Sequence, residues 1–151
     1  MVSGLPGNRG KARMRKFKFI DHTGDLGLTV FGETLDGLFV HAAEALFHVL
    51  TDRRKIRDRH RQEISLDARG TEELLVVWLG ELLFLFETKR LLFRRFEIRG
   101  LDGIHMEASA WGEEYEEGRH PIKTLIKAVT FHQLRVEKTK GRWRARVILD
   151  L

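Results

Sequence analysis

Residues 17–50 read FKFIDHTGDLGLTVFGETLDGLFVHAAEALFHVL, and the hydrophobic period changes within them. Phe17 and Phe19 alternate with polar neighbours, and Leu28 and Val30 do so again beyond the acidic Asp21-His22-Thr23-Gly24-Asp25 segment. A period of two belongs to a half-buried strand, so this part predicts two short strands. From Thr34 the spacing becomes three and four. Leu35, Leu38, Phe39, Ala42, Ala43, Leu46, Val49 and Leu50 then form the apolar side of an amphipathic helix of about four turns. Thr34 is placed to be its N-cap.

Ile64, Leu66 and Ala68 alternate as a third strand, and Gly70-Thr71 leads into a second helix, Thr71 to Glu87. Glu72 and Glu73 in its first turn favour the helix dipole. This helix is apolar almost all round, so it must be covered on more than one side, by sheet and first helix or by a partner. Leu92 to Ile98 and Ile104 to Trp111 flank the glycine-bearing connection Arg99 to Gly103, as in a hairpin. His120-Pro121 is read as opening a short helix through Lys127, and His132 to Glu137 with Arg142 to Asp150 as a second hairpin around Lys140-Gly141. The order predicts an α+β fold, two helices packed against a mostly antiparallel β-sheet in a single-domain layered sandwich.

Composition narrows the function classes. The chain has 151 residues, 42% hydrophobic and none of them cysteine, which suits one domain with a real core and excludes disulfide and thiolate chemistry. The longest apolar stretch, Leu74 to Phe86, is broken by Gly80 and Glu81 and is shorter than the roughly 20 residues a membrane span needs. A cytoplasmic, monomeric protein with no membrane partner is the expectation. Of the net charge of +5, all comes from Arg9, Lys11, Arg13, Arg15 and Lys16; the rest holds 22 basic and 22 acidic residues. Residues 1–14 are therefore read as a disordered basic tail and 15–151 as one domain, neutral from residue 17 on. Within it, Arg53 to Arg61 is a basic run and Glu113 to Glu117 an acidic one, both read as loops.

The last strand carries the candidate chemistry. With period two, Trp143, Ala145, Val147 and Leu149 face the core, while Arg142, Arg144, Arg146, Ile148 and Asp150 face the other way. Few buried strands end on an acid and a free carboxylate. Asp150 is read either as one member of an oxygen-rich ion site with the Asp21–Asp25 segment or as a terminal residue held by an arginine. An aspartate-rich turn alone is usually structural, since its carboxylates accept nearby backbone amides and Gly24 supplies the bend. His22, inside the acidic loop, is the histidine best placed for function, because the surrounding charge favours its protonated form. The other histidines lack zinc spacing; His132 is read as a hydrogen-bonded core residue, and His41 and His48 as partly exposed helix positions. No Walker, Rossmann or nucleophile-elbow motif is present. An accessory protein fits these residues better than an autonomous enzyme.

Three separated segments carry a family resemblance. Phe19 to Gly27, with Gly32-Glu33-Thr34-Leu35 opening a helix that closes at Ala45 to Asp52, resembles the N-terminal half of archease; Lys127 to Leu134 and Trp143 to Leu151 resemble its C-terminal half. The likeness runs over about residues 15–151. Gly24 stands where alanine is usual, Phe131 where tyrosine is common, and the tail has no counterpart. The resemblance implies a non-catalytic activator of the RtcB-type RNA ligase of tRNA splicing, promoting guanylylation and multiple turnover of that ligase and meeting tRNA through it. It also implies a divalent metal ion, calcium ahead of magnesium or manganese, on Asp25, Asp150 and Leu151, with Asp21 supporting them. Two alternatives stand beside it: an RNA-binding or chaperone-like module using the basic run and tail, and a metal-dependent phosphoester hydrolase using Asp25 and Asp150.

Overall fold

Strands β1 (Phe17–His22) and β2 (Asp25–Gly32) pair antiparallel across Thr23-Gly24, where Gly24 takes a φ of 80° that a residue with a Cβ resists. A computed structural model describes residues 15–151, without the His22 side chain. The basic tail at residues 1–14 therefore lies outside the described residues. Helix α1 (Leu35–Leu50) starts at Thr34, whose hydroxyl accepts the Gly37 N–H at 3.0 Å. Gly32 permits the approach of β2 to this helix, since a Cβ there would stand 2.5 Å from the Leu38 nitrogen.

Strand β3 (His60–Asp67) precedes helix α2 (Thr71–Lys89), which ends on Arg90 in the left-handed region. Strands β4 (Leu91–Leu101), β5 (His105–Glu114), β6 (Ala128–Thr139) and β7 (Arg142–Asp150) complete the chain. The α+β class holds, with every strand pair antiparallel and the strands divided between two sheets, β1-β2-β7-β6 and β3-β5-β4.

Each helix touches both sheets: α1 packs on β2 and β4, and α2 on β6, β3 and β4. That explains most of the apolar circumference of α2, whose cover comes from the chain itself except at Phe84, which is 54% exposed. Trp78 of α2 is fully buried and donates its indole N–H to the Phe39 carbonyl of α1 at 2.9 Å, which ties the helices together. Phe47 of α1 and Trp78 of α2 both meet Phe96 of β4, with ring centroids 5.9 and 6.1 Å away. On the other side the helices cover Leu28, Val30 and Val147, all at 0% exposure. Burying a large side chain of this kind contributes about 2 kcal/mol each, so the middle layer is the main source of stability.

Three local expectations are corrected. Residues 120–127 form no helix, because their backbone groups pair with the end of α1: Lys123 N–H donates to Leu50 O at 2.8 Å and the Thr51 hydroxyl to Pro121 O at 2.6 Å. Glu113 and Glu114 belong to β5 rather than to a loop, and Glu113 is only 4% exposed. His132 is exposed, since the β6–β7 register slips between Thr130 and Arg135 and carries it out of the core alternation. No helix among the described residues is long and apolar enough to cross a membrane.

Candidate functional site

Strand β2 begins on Asp25 and β7 ends on Asp150, and these two residues are direct register partners. Residues paired across an antiparallel ladder project from the same face, with Cβ atoms about 5 Å apart. The terminal residues are held from both sides. Leu151 N–H donates to Gly24 O at 3.1 Å, and Lys127 N–H to Asp150 O at 2.7 Å. The end of the chain is thus built into the sheet, one position from the turn that carries Gly24.

The face assignment of β7 holds. Ala145, Val147 and Leu149 are buried in the core cluster, whereas Arg144, Arg146 and Asp150 are exposed on the other face. Ile148 also lies on that face yet is buried, beside Gly27 and Ile20. Among the described residues no arginine or lysine forms an ion pair with Asp150 or Asp25, so the arginine-held reading of Asp150 has no support here.

Asp25 is half-buried, and its Oδ1 is enclosed without a hydrogen-bond donor among the described residues. Such an atom loses hydration without replacement, and its enclosure favours a cation nearby. Among the described residues no three His, Cys, Asp or Glu side chains gather where one ion could touch them all. The candidate donors are therefore two carboxylates and the chain terminus. Asp21 pairs with Leu26, whose side faces the core, so strand alternation sets it on the face opposite Asp25. His22 is the register partner of Asp25 in β1, and the expectation for its side chain lies outside the described residues.

Two titratable clusters appear that sequence reading missed. His105 places Nδ1 2.7 Å from Asp67 and Nε2 2.7 Å from Glu107, and these carboxylates, Asp67 first, push its pKa up. His120 is 2% exposed; its Nδ1 accepts the Glu116 N–H at 2.9 Å, so Nε2–H donates to Glu113 at 2.8 Å. Burial pushes the Glu113 carboxyl up, but bonds from Arg119, the Arg57 amide and His120 outweigh it and hold it down to about 2. The available signal was the period of two through Glu107, Ser109, Trp111 and Glu113, which continues β5 past the expected end at Trp111.

Comparison with known proteins agrees with this architecture. The model of the Archease protein family (MTH1598/TM1083) matches residues 17–151. Protein archease of Methanosarcina mazei is 41% identical over 141 residues, 91% of this chain and 97% of that protein. The Sulfurisphaera tokodaii protein of the same name is 31% identical, covering 91% and 100%. The solution structure of protein 1598 from Methanobacterium thermoautotrophicum superposes with a TM-score of 0.76 at 40% identity, over 91% of this chain and 100% of that one. A crystallised archease from Thermotoga maritima shares the fold at a TM-score of 0.62 and 21% identity, covering 92% and 98%. The chain belongs to the archease family.

Proposed function

We propose that this archease is a metal-binding accessory protein that activates an RtcB-type RNA ligase in tRNA splicing, promoting ligase guanylylation and multiple turnover. Family membership supports the role, and the pairing of Asp25 with Asp150 beside the clamped terminus is the observation that carries the site. The donor set consists of hard oxygens, and the enclosed Asp25 Oδ1, without a donor among the described residues, fits a divalent cation, calcium ahead of magnesium or manganese. Asp25, Asp150 and the Leu151 carboxylate would hold it. When bound, the ion would supply positive charge to a partner's phosphate or acidic group. The chain's own contribution is positional: the β2–β7 ladder fixes where the two aspartates stand, and the exposed strand end leaves one side open to a partner.

The test separates turnover from sealing. With a cognate ligase, Asp25→Asn and Asp150→Asn should lower multiple-turnover ligation by at least about tenfold, in line with the losses that follow damage around a metal site. Ligase already guanylylated should still seal once. Folded variants that stimulate turnover like the wild type would refute the site, and phosphoester turnover by the protein alone would favour the hydrolase reading.

A further inference from the structure

The basic run from Arg53 to Arg61 is sorted by the fold. Arg54 chelates Asp52 at 3.0 and 2.9 Å, Arg59 stands 3.7 Å from Glu113, and Arg61 stands 2.6 Å from Glu63. Their charge is largely answered. Arg53 also lines a cavity of about 520 Å³ at the end of α1, and its Nε is buried with no acceptor among the described residues. Its Nη2 donates to Arg94 O at 3.1 Å and lies 3.6 Å from Glu44.

The same cavity is lined by His48 and Lys123. Lys123 is anchored by its own N–H on Leu50 O, and among the described residues no carboxylate lies within ion-pair distance of its ammonium. The His48 ring stacks on Phe19 with an interplanar angle of 9° and a centroid distance of 5.8 Å, which fixes its place on the rim. Partial burial first, then Lys123 and Arg53, push the His48 pKa down. Two of those causes are cations standing near the ring. Asp52, on the lining of the same cavity, opposes them, and the Arg54 guanidinium that chelates it is the first cause holding its carboxyl at about 2.

The negative end of α1 would oppose an anion here, but two of its last carbonyls are already engaged. Thr51 N–H caps Phe47 O, and Lys123 N–H caps Leu50 O. The Arg53 guanidinium, the His48 imidazole and an ammonium with no carboxylate within ion-pair distance among the described residues, gathered at one cavity, are what a tetrahedral anion requires. A second cavity of about 230 Å³ shares His48 and Lys123 and reaches Asp21 and Leu26, the neighbour of Asp25. That second cavity opens on the face of β2 opposite Asp25.

We propose that the cavity bordered by His48, Arg53 and Lys123 binds a phosphate monoester, either of a free nucleotide or of an RNA end. This goes beyond the ligase-activator reading and stands without it. The first probe is inorganic phosphate, titrated into the full chain at neutral pH and followed by NMR of the His48 ring and the Lys123 amide. Saturable shifts with a Kd on the order of 1 mM are expected. Lys123→Gln keeps the backbone anchor and should weaken binding about tenfold, as should His48→Gln to a smaller degree. Arg69→Gln, remote from the cavity, should change nothing.

A nucleoside 5′-monophosphate and a 5′-phosphorylated tetraribonucleotide distinguish the two sources by which binds tighter. Unphosphorylated tetraribonucleotide should not bind. Absence of saturable shifts in the wild type, equal loss in Arg69→Gln, or equal binding of the unphosphorylated RNA would each overturn the proposal.

Discussion

Replacing Asp25 by asparagine should change stability in opposite directions with and without a divalent cation. Asp25 and Asp150 are register partners, so without an ion two carboxylates face each other about 5–6 Å apart. Coulomb's law gives roughly 3 kcal/mol of repulsion at an effective dielectric of 20 and below 1 kcal/mol in water. Asp150 is exposed and Asp25 half-buried, so a value near 1 kcal/mol is appropriate. In EDTA the asparagine variant should therefore melt about 2–4 °C above the wild type, the shift that 1 kcal/mol produces in a domain of this size. With calcium at about 100 times its Kd, the wild type should gain about 2.7 kcal/mol, or roughly 5–10 °C, while the variant gains little. Thermal unfolding followed by circular dichroism in the two buffers measures both. The order of the two proteins should invert. A wild type whose Tm ignores calcium, magnesium and manganese would refute the ion site. A variant less stable than wild type in EDTA would show that the Asp25 carboxylate is satisfied by the protein itself.

Glu113→Gln leaves Arg119 and the Arg57 amide facing a neutral amide, which should cost about 2 kcal/mol at neutral pH in urea unfolding. The folded Glu113 carboxyl titrates at about 2, below its ordinary 4.5, so its contribution is present above pH 4.5 and disappears as pH falls through about 2. The deficit of the variant should accordingly shrink in acid, and a deficit independent of pH would contradict the assignment. Gly112→Ala should yield no soluble folded protein, since its Cβ would stand 1.8 Å from Leu92 O, backbone of the paired strand. Gly100→Ala, which meets open space, should express normally and serves as the control.

The helices were legible because their signals are local. The change of period at Thr34 and the hydroxyl cap specify α1 without reference to the rest of the chain, and the cap bond is present. The uniform apolarity of α2 announced that it would be covered on several sides, but not by what. Division of the strands into two sheets depends on which strand each chooses as a neighbour, and that choice is made by distant segments. The segment from His120 to Lys127 failed for a related reason. Its local pattern allows a helix, while Leu50 and Thr51 offer its backbone better partners. His132 was misplaced because a register slip has no signature in a two-residue period.

The candidate site divides along the same line. That Asp150 leaves the core face follows from alternation within β7 alone, whereas its partnership with Asp25 joins the two ends of the domain: the residues suggested a shared site with the Asp21–Asp25 segment, and family resemblance singled out Asp25 within it. Asp21 shows how little sequence proximity means here. It lies closer to Asp25 in the chain than Asp150 does, yet the β1–β2 register pairs it with Leu26 and places it on the opposite face. A strand end held by two backbone bonds, Leu151 to Gly24 and Lys127 to Asp150, locates its carboxylates through the main chain, leaving the exposed Asp150 side chain free of packing duties. It follows that charge at Asp25 or Asp150 can be removed without dismantling the core formed by Val147 and Leu149. Loss of partner activation in a folded variant would then report on the site and not on the fold.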